Sequence, residues 1–177
     1  MISSQPPRVA LLDDLELAAW RGMLQAHARI TQQLDAEMRA EHGLSVSAYE
    51  VLMFLADAPE HRMRMSDIAQ QALLSRSGCT RLVDRLVGLG YVVRYAATND
   101  GRGLYAELTD AGVAKAAVAR ATHLDGVRRL FLDRLTTTDQ VVLSDIWSRL
   151  ESSAATAAVE SELESDGAPE GARATLR

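Results

Sequence analysis

Arg76, Ser77, Thr80, Arg81 and Arg85 make the most chemically pointed pattern in the chain. On a helix turning about 100° per residue, Ser77, Thr80, Arg81 and Asp84 fall on one side. Cys79, Leu82, Val83, Leu86 and Leu89 fall on the other. The apolar side can anchor such a helix. The polar side offers hydroxyls and guanidiniums, groups that donate to base edges in a major groove, where an arginine can meet guanine bidentately. Arg76, at the helix start, can reach bases or phosphate, and Arg85 suits a phosphate. A solvated face with ordinary charges has the same composition, so this helix alone does not decide its role.

A second stretch adds weight. Tyr91–Tyr95 and Leu104–Leu108 are β-rich runs. Between them lies Thr98-Asn99-Asp100-Gly101-Arg102-Gly103, dense in turn formers. Together they predict a hairpin. Arg102 at its tip suits a narrow minor groove, where negative potential is concentrated. Asp100 can orient that guanidinium through a charge-assisted hydrogen bond. Arg94, in the first run, joins the candidate DNA contacts. The plain alternative is a surface hairpin whose glycines serve only the turn. From Glu60 to Tyr105 seven arginines stand against four acids, although the whole chain carries a net charge of −5. For binding a polyanion, the distribution of charge counts for more than its total.

Little else could do chemistry. The four histidines, at 27, 42, 61 and 123, form no metal-ligand spacing, and the single cysteine offers no cluster. Cys79 sits on the anchored side of its helix, where a thiol behaves as a small hydrophobe. A redox role stays open only through the nearby helix start. There is no nucleophile-elbow, phosphate-loop or dinucleotide motif. No enzyme, metal site or cofactor is expected.

The positioning elements follow from periodicity and caps. Leu11 to about Glu41 reads as one long helix, with Leu12, Leu15, Ala19, Met23, Ile30, Leu34 and Met38 in an apolar stripe widened by Trp20, Leu24 and His27. Gly43 stops it. Ser47-Ala48-Tyr49-Glu50 reads as a capping box opening a helix through Leu55. Arg62 and Arg64 read first as solvated charges, with phosphate contact as the secondary reading. Ser66 is expected to cap the next helix, the chain turns at Leu73-Leu74, and Ser75 caps the arginine-bearing helix. Gly90 ends it with left-handed geometry. Thr109 caps a helix to about Leu135, with Val113, Ala117, Leu124, Val127 and Phe131 on its apolar side. Thr137-Thr138-Asp139-Gln140 reads as a capping box for a last helix bearing Val142, Leu143, Ile146, Trp147 and Leu150. From Glu160 onward the chain is acidic and lacks a periodic apolar face, so disorder is expected there.

The chain has 177 residues, 47% of them apolar, enough for one domain with a core. No run approaches the roughly 18 apolar residues of a membrane span. No basic region precedes an apolar signal core, so a cytoplasmic location is expected.

Two runs of residues resemble the MarR family of bacterial transcription regulators. Ser75-Arg76-Ser77-Gly78-Cys79-Thr80-Arg81-Leu82-Val83-Asp84-Arg85-Leu86 is similar to that family's recognition helix. Asp100-Gly101-Arg102, followed by Leu108-Thr109-Asp110-Ala111-Gly112, is similar to its wing signature. Arg76 stands where the family often has proline, and Gly78 within the first turn is a second departure. The resemblance implies a mainly α fold, a winged helix-turn-helix with a small β-hairpin wing and N- and C-terminal dimerisation helices. Residues 1–10 would be a flexible arm and 45–109 the DNA-binding lobe. Residues 11–44 and 110–159 would form the dimerisation lobe, and 160–177 a disordered acidic tail. It implies a homodimeric repressor on a pseudo-palindromic duplex operator, released by a small, often aromatic, ligand. Trp20, Arg21, Met23, His27, Tyr49 and Met53 could line the ligand cleft, Arg21 serving as anion anchor. Two rivals remain: a winged protein–protein interaction module, and a DNA binder insensitive to ligands.

Overall fold

A computed structural model describes residues 11–96 and 103–166, with side chains described as far as residue 152. The chain divides into two compact units, Met1–Phe131 and Leu132–Arg177. The first unit holds α1 (Asp14–His42), α2 (Val46–Asp57), β1 (Arg62–Arg64), α3 (Met65–Gln71), α4 (Arg76–Gly88), β2 (Val92–Ala96), β3 (Leu104–Leu108) and α5 (Asp110–Leu130). The second holds α6 (Thr137–Asp166). The architecture is mainly helical with a small antiparallel sheet, as the sequence predicts.

In the first unit the core is built around α2, whose Val51, Leu52 and Leu55 are fully buried with Met38, Leu44, Ile68, Val83, Leu86 and Val92. Only the last part of α1 joins it, through Leu34 and Met38; Leu15, Trp20 and Leu24 are exposed. α1 starts at Asp14 rather than Leu11, because Asp13 and Glu16 form a reciprocal cap with two 2.8 Å hydrogen bonds. Gly43 ends it at φ 68°. The box expected at Ser47 is one cap too late. Ser45 accepts the Ala48 N–H at 3.1 Å, which places Ser47 inside the first turn of α2.

α5 is capped by Thr109 as expected, with Gly112 N–H donating to its hydroxyl at 3.0 Å. Its inner side follows the prediction only in part. Val127 packs against the core and Phe131 is half-buried, but Val113, Ala117 and Leu124 are exposed, and the fully buried residues are Gly112, Ala116, Ala119 and Gly126. Small residues win because α5 packs close: a Cβ on Gly126 would run into Leu34. The helix also ends at Leu130, short of Leu135, and a 3-10 turn follows at Leu132–Arg134.

In the second unit the cap is Thr136, not Thr137. Its amide and hydroxyl donate to Asp139 at 2.9 and 2.6 Å. α6 runs to Asp166, so residues 160–166 are helical rather than part of a structureless tail. Alanine and glutamate dominate residues 154–164, and these have high intrinsic helix propensity without needing an apolar face. Residues 167–177 lie outside the described residues.

The sheet has three strands in the order β1-β3-β2, all antiparallel. β3 occupies the run expected for it, and β2 starts one residue late. β1 was not expected. It is three residues long and pairs Arg62 with Glu107 and Arg64 with Tyr105, too short for alternation to register in the sequence.

Candidate nucleic-acid interface

α3, a tight turn and α4 make a helix-turn-helix, and β1–β3 make its wing. β1 runs directly into α3, so the helix begins at Met65 with Arg64 in the cap position and no side-chain cap. Ser66, expected as that cap, lies within the helix and donates to Asp67 Oδ1 at 2.8 Å. The turn is closed by Leu73 and Leu74 amides donating to Gln70 and Ala69 carbonyls at 3.1 and 2.8 Å. It places Leu73 at φ 53° with its side chain 93% exposed. Ser75 caps α4, its hydroxyl accepting Gly78 N–H at 3.1 Å. A Cβ at Gly78 would come within 3.1 Å of that same oxygen, so glycine leaves the cap room.

α4 divides as its spacing predicts. Cys79, Val83 and Leu86 are buried, and Leu82 is half-buried. Leu89 is exposed instead, because the helix stops at Gly88 and the chain reverses through Gly90 at φ 75°. Arg76, Ser77, Thr80, Arg81, Asp84 and Arg85 all face outward. Thr80, though exposed, donates its hydroxyl to the Arg76 carbonyl at 2.9 Å. Burial pushes the Cys79 thiol pKa up, and its sulfur lies 3.7 Å from the Met65 carbonyl. That environment disfavours the thiolate and argues for a packing role.

The wing is braced against the helix. Arg94 Nη1 lies 2.7 Å from Asp84 Oδ1, joining β2 to the outward side of α4. Sequence reasoning gave Arg94 no partner, since a contact between residues on different elements leaves no local signature. On the sheet, Tyr95 and Tyr105 stack at 6.0 Å, and Tyr95 donates to Glu107 at 2.9 Å. Arg64 Nε–H donates to the Tyr105 hydroxyl at 2.9 Å. Asp100 and Arg102, which the sequence places between the two wing strands, lie outside the described residues.

Two surface grooves flank β1. One, of about 440 Å³, includes Phe54, Asp57, Arg62, Asp67 and Tyr105. The other, of about 410 Å³, is lined by Arg64, Met65, Ser66, Arg76, Thr80, Gly103 and Leu104. Neither includes any of the six residues suggested for a ligand cleft. Of these, Trp20, Arg21, Met23 and His27 are exposed on α1, while Met53 is half-buried. Tyr49 belongs to the core, 4% exposed, with its ring 4.6 Å from that of His123. Among the described residues no group of His, Cys, Asp and Glu could hold a metal ion. No helix there is long and apolar enough to cross a membrane.

This arrangement defines a winged helix-turn-helix protein. A model of the MarR family matches residues 42–103. The structure resembles that of AbsC, a MarR family transcriptional regulator from Streptomyces coelicolor. Identity is 30% over 84% of this chain and 99% of that one, at a TM-score of 0.78. It is equally similar to Sco3205, a MarR family regulator from the same organism solved in complex with DNA. There the identity is 31%, the coverage 81% and 94%, and the TM-score 0.78. The HTH-type transcriptional repressor YetL of Bacillus subtilis is 36% identical over 76 residues, 43% of this chain and 46% of that protein. The chain belongs to the MarR family of transcriptional regulators, a family without enzymatic activity.

Proposed function

We propose that this regulator binds duplex DNA as a homodimer on a pseudo-palindromic operator and represses by occluding a promoter. The observation that carries the reading is the outward side of α4. Ser77, Thr80, Arg81 and Arg85 stand exposed on a helix whose opposite side is locked into the core. Arg81, Ser77 and Thr80 address base edges, and Arg76 and Arg85 meet phosphate. Arg94 works at the wing root, and Arg102, oriented by Asp100, enters the flanking minor groove. The DNA complex of Sco3205 and the repressor description of YetL support this reading by analogy.

In this reading residues 45–109 form the DNA-binding lobe, and residues 11–44 and 110–159 supply the dimer contact. Support comes from apolar side chains exposed on α1 and α5: Leu15, Trp20, Leu24, Val118 and Leu124. Apolar surface on that scale mostly meets a partner. A small aromatic ligand, held near Trp20, Met23, His27, Tyr49 and Met53 with Arg21 on its anion, releases the DNA. It does so by binding more tightly to a form whose two reading heads are wrongly spaced. The protein acts in the cytoplasm.

The test is selection of bound duplexes from a random pool at physiological salt. A twofold-symmetric site with half-sites about one helical turn apart is expected. No enrichment overturns the reading and favours a protein–protein module, the rival supported by the net charge of −5. Titrating tryptophan fluorescence with aromatic acids tests the ligand, and silence across the panel would leave a DNA binder without an effector.

A further inference from the structure

α5 is held at both ends. At its start the Thr109 hydroxyl donates to the Gly90 carbonyl at 2.7 Å, and Gly112 lies against Tyr91 at the corner that ends α4. Toward its end Arg129 bonds Glu37 of α1 at 2.7 Å, and Gly126 lies against Leu34. Between these ties the ring of His123 lies 4.6 Å from that of Tyr49, tilted by 33°. Tyr49 belongs to α2, which also packs against α4. The pair therefore joins the helix bearing exposed Val118 and Leu124 to the core behind the recognition helix. His123 Nδ1 is buried and has no hydrogen-bond partner among the described residues. A neutral imidazole can leave that nitrogen as a bare lone pair. An imidazolium cannot, because both its nitrogens carry N–H. The tyrosine face attracts a cation, but a charged donor buried without an acceptor costs more than one such contact returns. Burial accordingly depresses the His123 pKa. The charged groups around the pair are Glu50 and Asp57 on α2 and Arg120 on α5. On α1, Glu41 and His42 are both engaged by the Thr122 hydroxyl, at 2.9 and 2.8 Å.

We propose that the Tyr49–His123 contact is a proton-sensitive latch: protonation of His123 parts α5 from α2, shifts the two reading heads of a dimer, and weakens duplex binding in acid. The inference rests on the DNA-binding dimer proposed above and gives it a second regulator, the proton. Its direction runs against the general trend, because added positive charge ordinarily strengthens binding to a polyanion. Opened, His123 titrates near the unperturbed value of about 6.5. Affinity is then complete above that pH and is lost as pH falls below it. In the limit where the latched form takes no proton, the loss between about pH 7.5 and 5.5 is about tenfold per protomer.

The experiment measures anisotropy of the intact protein on its selected duplex, at one salt concentration, between about pH 7.5 and 5.5. Wild type should lose affinity in acid, by up to about tenfold per protomer. His123→Phe keeps a ring on Tyr49 and takes no proton, so it should bind as wild type does at the higher pH and keep that affinity at the lower. His123→Gln, which adds no bulk, should do the same. Glu50→Gln and His42→Gln should still lose affinity, which separates His123 from its titratable neighbours. Proton NMR of the His123 ring should give a lower pKa in the duplex complex than in the free protein, as reciprocity between the two ligands requires. Equal values would contradict the latch. A wild-type affinity that holds or rises in acid overturns it and leaves the DNA reading standing. So does a loss that both His123 variants share, or one that accompanies melting of the free protein at the assay temperature. Absence of duplex binding at every pH removes both.

Discussion

Replacing Gly112 by alanine probes how the reading unit is joined to α5. A Cβ there would lie 2.9 Å from Leu108 Cδ2 and 3.0 Å from the Tyr91 carbonyl carbon, and deeper still into the Tyr91 oxygen; real Cβ atoms essentially never approach under 3.0 Å. The leucine end can rotate away. The Tyr91 backbone cannot, because its oxygen accepts Thr109 N–H at 3.0 Å and its own N–H donates to Leu86 at 3.0 Å. The start of α5 must therefore back away from the corner that ends α4. Overpacking of this kind costs about 1–3 kcal/mol, occasionally more. Alanine returns up to about 1 kcal/mol of helix propensity. A net loss of about 2 kcal/mol remains, toward the upper end because the obstacle is backbone. With an m-value of about 2 kcal/mol per molar, the urea midpoint should fall by about 1 M at fixed protein concentration. Gly88→Ala is the control, since nothing lies within 4 Å of a Cβ there. It should be neutral or stabilising by up to about 1 kcal/mol. A midpoint for Gly112→Ala at or above wild type would refute the packing argument.

Other consequences are as direct. Leu73 sits at φ 53° while 93% exposed, so Leu73→Gly removes the left-handed strain of about 1–2 kcal/mol without losing burial. Glycine's entropy returns about 0.5–1 kcal/mol of that; a urea midpoint clearly below wild type would contradict the geometry. Asp84→Ala breaks a half-exposed ion pair and should cost under about 1 kcal/mol of stability. It also removes a negative charge from the reading side and releases Arg94, so anisotropy should show tighter binding to any duplex; weaker binding would argue that the brace matters more than the charge. Burial depresses the His123 pKa below 6.5. The stability linked to its neutral form is complete above pH 6.5 and is lost as pH falls through that value toward the folded pKa. The melting temperature of wild type should accordingly drop more between about pH 7.5 and 5.5 than that of His123→Phe, and parallel profiles would refute the assignment.

The elements bearing the candidate site were legible because their signals are local. Ser75, the periodicity of Cys79, Val83 and Leu86, and the glycine at 90 all act within one turn of helix, and the structure keeps each of them. What could not be read depends on partners far along the chain. β1 exists because β3 pairs with it, and the Asp84–Arg94 brace spans two elements. The inner side of α5 is not legible from its large apolar residues, because close helix packing selects Gly112, Ala116, Ala119 and Gly126. Cap positions slipped by one or two residues wherever consecutive hydroxyls competed, as at Ser45 and Ser47, or Thr136 and Thr137.

The account turns on the outward residues of α4 reading sequence. The most direct measurement compares wild type and Arg81→Ala on the selected duplex and all its single-base variants at one salt concentration. The account predicts that discrimination collapses at one position in each half-site, by about 1–3 kcal/mol, while the other positions keep theirs. An unchanged preference at every position would contradict it.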